Sequence, residues 1–187
     1  MKAKTLYKGD WITVKTVEDW YEYIHQHRSN GKSVAILIFR EDNPKAIVGR
    51  YEGTPCHFDG IQLCSITGMV EPDYEPIDIA VKEIYEEAGI KCKRNELISL
   101  GEIRQSKASD TVVYLFLLNA GKRDVGKAIG DGTKGEEGAY CKWIPYREAI
   151  ECKDPLMGCL IKKAELRGYN VTGDPDYVLK YIFNTPK

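Results

Sequence analysis

Apolar positions along the chain switch between helical and strand-like spacing, and the switches mark out its elements. Within VEDWYEYIHQHR (17–28), Val17, Trp20, Tyr21 and Ile24 recur every three or four residues and Asn30-Gly31 follows, which predicts an amphipathic helix. SVAILIF (33–39) and KAIVGRYE (45–52) are β-rich runs on either side of Glu41-Asp42-Asn43-Pro44 and predict neighbouring strands, with a third over Gly60 to Ser65. Glu75-Pro76 opens a helix that Gly89 ends, with Ala80, Ile84 and Ala88 as its apolar stripe. ELISLGEIRQS (96–106) and TVVYLFLLN (111–119) read as two more strands. Residues 120–138 carry six glycines and few apolar residues, a loop long enough inside one domain to point to function. CKWIP (141–145) predicts a short strand, YREAIECK and DPLMGCLIKKAELRG helices, and PDYVLKYIF a last helical turn or two.

Composition narrows the class. A chain of 187 residues suits one domain, with residues from about 1 to 31 as a strand/helix extension at its N-terminus. The clearest aliphatic run, Val34 to Phe39, is far short of the roughly 20 residues that cross a bilayer, and the lysines of MKAKTLYKGD have no apolar segment behind them. A reducing, cytoplasmic setting is expected, without a membrane. The six cysteines contain no C-x-x-C pair and read as reduced, mostly buried thiols; nothing marks one as a nucleophile beside His25, His27 or His57. With 27 basic against 28 acidic residues there is no general basic surface for nucleic acid.

Chemistry concentrates in GMVEPDYEPIDIAVKEIYEEAGI (68–90). Glu83, Glu86 and Glu87 stand at i, i+3 and i+4, so they leave one side of the helix while Ala80, Ile84 and Ala88 face the core. Like charges at these spacings weaken a helix, and anions near its C-terminal end oppose the macrodipole, so a positive charge is expected to compensate. An all-oxygen donor set suits Mg²⁺ or Mn²⁺ better than zinc. The helix alone leaves a solvated acidic face as the alternative.

The wider segment resembles the signature of the Nudix hydrolases, G-x5-E-x7-R-E-U-x-E-E-x-G-U, with U aliphatic: Gly68, Glu83, Ile84, Glu86, Glu87, Gly89 and Ile90 fall on it at unbroken spacing. Two positions depart, Tyr74 for the family's first Glu (Glu71 and Glu75 lie nearby) and Lys82 for its Arg. In the family these two pair to brace the loop on the helix, so their joint replacement is expected to alter that support. The resemblance implies an α/β Nudix fold, a mixed sheet between helices. It also implies Glu83 and Glu87 as principal metal ligands, Glu86 as a further ligand, and the carbonyl of Thr67 as a backbone ligand. The later KWIPYREAI, preceded by the glycine-rich loop with Glu136-Glu137, looks like the family's closing arrangement, where such a loop supplies a metal ligand or the general base. Glu137 is the first candidate for the base, Glu136 the second, and Glu86 the fallback.

The implied reaction is metal-dependent hydrolysis of the pyrophosphate link in a nucleoside diphosphate derivative. SITGMVE (65–71), GRYEG with Arg50, and QSKASD look most like the ADP-sugar pyrophosphatase branch, although that branch's proline about 16 residues beyond the box is replaced here by Gln105-Ser106-Lys107. Arg50, Arg104 and Lys107 are candidates for the substrate's phosphates, and Tyr51, Phe58 or Trp11 for its base. Dinucleoside polyphosphates, damaged nucleoside triphosphates and capped RNA stay open as substrates, as does a sensor that binds without cleaving. The expected partner is a small nucleotide, with a homodimer left open.

Overall fold

The computed structural model describes residues 2–41, 47–54, 56, 60–129 and 138–173. Its centre is β4 (Lys32–Phe39), whose unbroken apolar run is buried on both faces. Val34, Ile36 and Ile38 turn to one side and Ala35, Leu37 and Phe39 to the other. β9 (Val112–Asn119) pairs with β4 in parallel from Lys32↔Val112 to Phe39↔Asn119, and β8 (Leu97–Arg104) continues the sheet antiparallel to β9. On the other flank, among the described residues, β5 (Ile47–Gly53) is in ladder register with β4 at Phe39↔Ile47 and then diverges, with β10 (Tyr140–Ile144) along its outer edge. The opening wedge is filled by two short strands, β6 (Ile61–Cys64) on β5 and β7 (Ile66–Met69) on β4. The strand expected over 60–65 is β6, and a further strand, β7, follows it after the chain changes partner at Ser65. Asp154 Oδ2 fixes that crossing by accepting from the Ser65 backbone N–H at 2.7 Å and from its hydroxyl at 2.6 Å.

Helices cover both faces. α1 (Pro76–Ala88) begins on Pro76 and ends at Gly89, whose left-handed φ of 64° lets the N–H of Ile90 return to Ile84 C=O at 3.4 Å. Its stripe of Ile79, Ala80, Ile84 and Ala88 packs on the Val34, Ile36 and Ile38 side. Each fully buried isoleucine here contributes about 1.5–3 kcal/mol of transfer free energy. α2 (Tyr146–Ile150) and α3 (Pro155–Leu166) cover the opposite face, where Met157, Leu160 and Ile161 meet Leu37 and Phe39. Asp154 caps α3 through Leu156 N–H at 2.9 Å. The result is the expected α/β arrangement, a mixed sheet between helices.

The N-terminal segment departs from expectation. Residues 17–28 form no helix: β1 (Lys4–Lys8), β2 (Ile12–Val17) and β3 (Tyr21–Gln26) make a separate antiparallel sheet in that order. The chain reverses through Glu18 and Asp19, both left-handed at φ 54° and 58°, with Trp20 N–H returning to Val17 C=O at 3.4 Å. Aromatic and β-branched residues suit this ribbon, and the tight turn overrides a spacing that happened to match a helix. The sheet is joined to the main body where Ile24 N–H donates to Ala108 and Asp110 N–H donates to Ile24. Among the described residues no helix is long and apolar enough to cross a membrane.

The first half of the glycine-rich loop is pinned. Gly126 and Ile129 donate their N–H groups to Ala88 and Glu86, each at 2.8 Å, satisfying carbonyls at the end of α1. A Cβ on Gly89 would stand 2.8 Å from Gly126 Cα, so this crossing requires a glycine. Glu136, Glu137, Phe58, His57 and the segment PDYVLKYIF lie outside the described residues.

Candidate active site

The divergence of β5 from β4 leaves a cleft of about 310 Å³ whose wall includes Arg50, Glu52, Thr67, Gly68, Glu87 and Gln105. α1 supplies its acidic side. Glu87 is 5% exposed, while Glu83 and Glu86 are half-buried. Glu83 lies directly against Gly68 on β7, where a Cβ would come within 2.5 Å of its Cδ, so the glycine of the box gives this carboxylate its seat.

The expected positive compensation comes from the chain itself. Arg50, only 2% exposed, places Nη2 3.4 Å from Glu87 Oε1 and Nε 2.7 Å from Glu52 Oε2. Burial opposes the charged guanidinium, but Glu87 and Glu52 outweigh it and hold the group above its ordinary value, so Arg50 stays cationic. Arg50 and Glu52 are two residues apart on β5 and share the face that looks at α1. Lys82 Nζ donates to Glu71 Oε1 at 3.1 Å and stands 3.9 Å from Glu86 Oε2. The hydrogen bond to Glu71, with Glu86 and Glu83 nearby, raises the Lys82 pKa. The brace expected to be altered at Tyr74 and Lys82 is kept in another form, because Glu71 occupies the acidic end and Tyr74 is exposed.

Among the described residues no three His, Cys, Asp or Glu side chains already converge on one point. The donor chemistry nevertheless suits a hard divalent cation: carboxylates one helical turn apart, one buried and one seated on Gly68, with no sulfur or imidazole among them. Such an ion would compete with Arg50 for Glu87 and with Lys82 for Glu86.

The remaining candidates separate. Thr67 and Arg50 line the cleft, but Arg50 faces carboxylates. Arg104 is exposed and does not line the cleft; Lys107 borders a different hollow beside Trp20, Tyr21 and Tyr23. Trp11 is half-exposed under Arg28, 3.7 Å from its ring centroid. Tyr51 stacks on Tyr140 with centroids 5.0 Å apart and donates to Glu148, on the sheet face away from α1. All six cysteines are free thiols; Cys141, beside Arg50, is pushed up to about 12 by burial and then by Glu87. His25 bonds Asp110 at 2.8 Å and His27 bonds Thr13 at 3.0 Å. Glu52 escaped sequence reasoning. Its signal was alternation, since a carboxylate two positions after an arginine on a strand shares that arginine's face.

A model of the NUDIX domain matches residues 29–163, more than half of the chain. Human diphosphoinositol polyphosphate phosphohydrolase 3-beta is 31% identical over 110 residues, covering 57% of this chain and 63% of the relative. Mouse diphosphoinositol polyphosphate phosphohydrolase 2 is 31% identical over 102 residues, 53% of each chain. The alignments thus span under two thirds of these relatives' length. A crystal structure described as ADP compounds hydrolase superposes with a TM-score of 0.64 at 14% identity, covering 91% of this chain and 95% of that one, a likeness of fold.

Proposed function

The chain belongs to the NUDIX domain family, and from that membership we propose that it is a metal-dependent pyrophosphohydrolase of nucleoside diphosphate derivatives, with ADP-ribose or a similar ADP-sugar as substrate. The observation that carries this is a buried Glu87 in the wall of the cleft together with Glu83 seated against Gly68, a residue of the same wall. Glu83, Glu86 and Glu87, with the Thr67 carbonyl, would hold Mg²⁺ or Mn²⁺. When bound, such an ion supplies positive charge against the phosphate oxygens and acidifies a water. Glu137 takes the proton of the attacking water; the water oxygen bonds one phosphorus, the anhydride P–O bond breaks, and the other phosphate leaves. Glu136 is the alternative base, then Glu86. From ADP-ribose the products are AMP and ribose 5-phosphate.

The lining of the cleft favours a substrate with few phosphates. Among its described lining residues Arg50 is the sole cation, and it already faces two carboxylates; the nearby polar groups Gln26, Ser33 and Gln105 are uncharged. An inositol carrying phosphates on most positions would call for several lysines or arginines. The relatives' named substrates are therefore the second reading. Incubation with Mg²⁺ and a panel of ADP-ribose, dinucleoside polyphosphates and a diphosphoinositol polyphosphate, with products separated by chromatography, tests this. AMP from ADP-ribose supports it, and preferential cleavage of the inositol compound overturns the substrate assignment.

A further inference from the structure

We infer that Arg50 is a positioning residue, a built-in counter-cation whose division between Glu52 and Glu87 sets how tightly the α1 glutamates take a divalent ion. The inference rests on the metal-holding role proposed above for those glutamates. Arg50 lines the cleft but is nearly inaccessible, at 2% exposure, and its guanidinium is already engaged by carboxylates. Its guanidinium remains charged at any working pH and forks between the two carboxylates, Nε to Glu52 at 2.7 Å and Nη2 to Glu87 at 3.4 Å. The closer contact is to Glu52, so Glu52 draws the guanidinium away from Glu87 and leaves part of that carboxylate's charge for an incoming cation.

The fork is held from the backbone. Arg50 lies in register with Cys64 on β6 and Cys141 on β10, so its strand is paired on both sides, and its side chain lines the cleft. A divalent ion at Glu87 must then share this carboxylate with a fixed positive charge. Two opposite consequences follow. Without Arg50, Glu87 has more of its charge to offer and the ion binds more tightly. Without the charge on Glu52, Arg50 settles on Glu87 and the ion binds more weakly.

The test measures Mn²⁺ affinity by isothermal titration calorimetry and the Mn²⁺-induced rise in Tm, in the wild type, Arg50→Met, Glu52→Gln and the double variant. Residues beside metal ligands alter affinity by about 10- to 100-fold, and shifts of that order are expected here in opposite directions. Arg50→Met should have the lower Kd and the larger Tm rise, because Mn²⁺ replaces its missing charge. Glu52→Gln should have the higher Kd, and in the Arg50→Met background the Glu52 substitution should add little. Should Arg50→Met not fold in chelator, Glu52→Gln decides, and Arg50→Lys, which keeps the charge, should stay nearer the wild type. Weaker or unchanged binding in Arg50→Met overturns the inference, as does an undiminished Glu52 effect in the double variant, which would make Glu52 itself a ligand. A wild type that takes up no Mn²⁺ overturns the metal reading beneath it, a result distinct from the others.

Discussion

The carboxylate of Glu83 rests against the Cα of Gly68, so close that a Cβ on that glycine would stand 2.5 Å from Glu83 Cδ. The atoms that would have to yield are the end of a flexible side chain, and the fold itself has little to lose. Gly68→Ala should therefore keep its stability to within about 1 kcal/mol while metal affinity and turnover fall at least about tenfold, as Glu83 is pushed from its seat. Thermal melts beside calorimetric metal titration check this. Equal losses of stability and affinity would make the contact a matter of packing.

Lys82 and Glu71 replace the family's usual brace. Both are about half exposed, so a double-mutant cycle with Lys82→Met and Glu71→Gln should give a coupling of about 1 kcal/mol or less. Restoring the family pattern with Tyr74→Glu and Lys82→Arg should leave stability unchanged or raise it, with metal affinity kept.

Asp124 ties the loop after β9 to β10. It accepts from Arg40 Nη2 and from Trp143 Nε1, each at 2.8 Å, while the Arg40 guanidinium lies 3.7 Å from the Trp143 ring centroid. Arg40 first, and Trp143 next, hold its pKa below the ordinary carboxylate value. A lowered folded pKa means that the contribution is present above the usual carboxylate range and is lost as pH falls through the folded value. The Tm gap between the wild type and Asp124→Asn should accordingly be constant near neutrality and close in acid. A gap independent of pH would contradict the assignment.

Glu137 and Glu136 are distinguished by kinetics. With Glu137 as base, Glu137→Gln should lower kcat by about 10²–10⁴-fold and Glu136→Gln by far less. Two active variants would move the base to Glu86.

Much of the candidate site's framework was legible because its signals are local. The spacing of Glu83, Glu86 and Glu87, the opening Pro76 and the closing Gly89 all lie within one helix, and β4 announced itself as a strand buried on both faces. The N-terminal sheet was hidden because Val17, Trp20, Tyr21 and Ile24 satisfy a helical interval, and its turn uses Glu18 and Asp19 in place of the glycine or asparagine that usually marks left-handed residues. The partner of Lys82 could not be chosen between Glu71 and Glu75 without the loop's path. Arg50 looked like a phosphate ligand because its burial and its contacts with Glu52 and Glu87 arise only when β5 packs under α1.

The metal-dependent role of Glu87 is tested most directly by hydrolysis of ADP-ribose by the wild type and Glu87→Gln, each titrated with Mg²⁺ from chelator upward. Expected are no turnover in EDTA, AMP and ribose 5-phosphate from the wild type as Mg²⁺ is restored, and a collapse of kcat in a Glu87→Gln protein that still melts cooperatively. Full turnover in chelator, or a Glu87→Gln variant as active as the wild type, would contradict it.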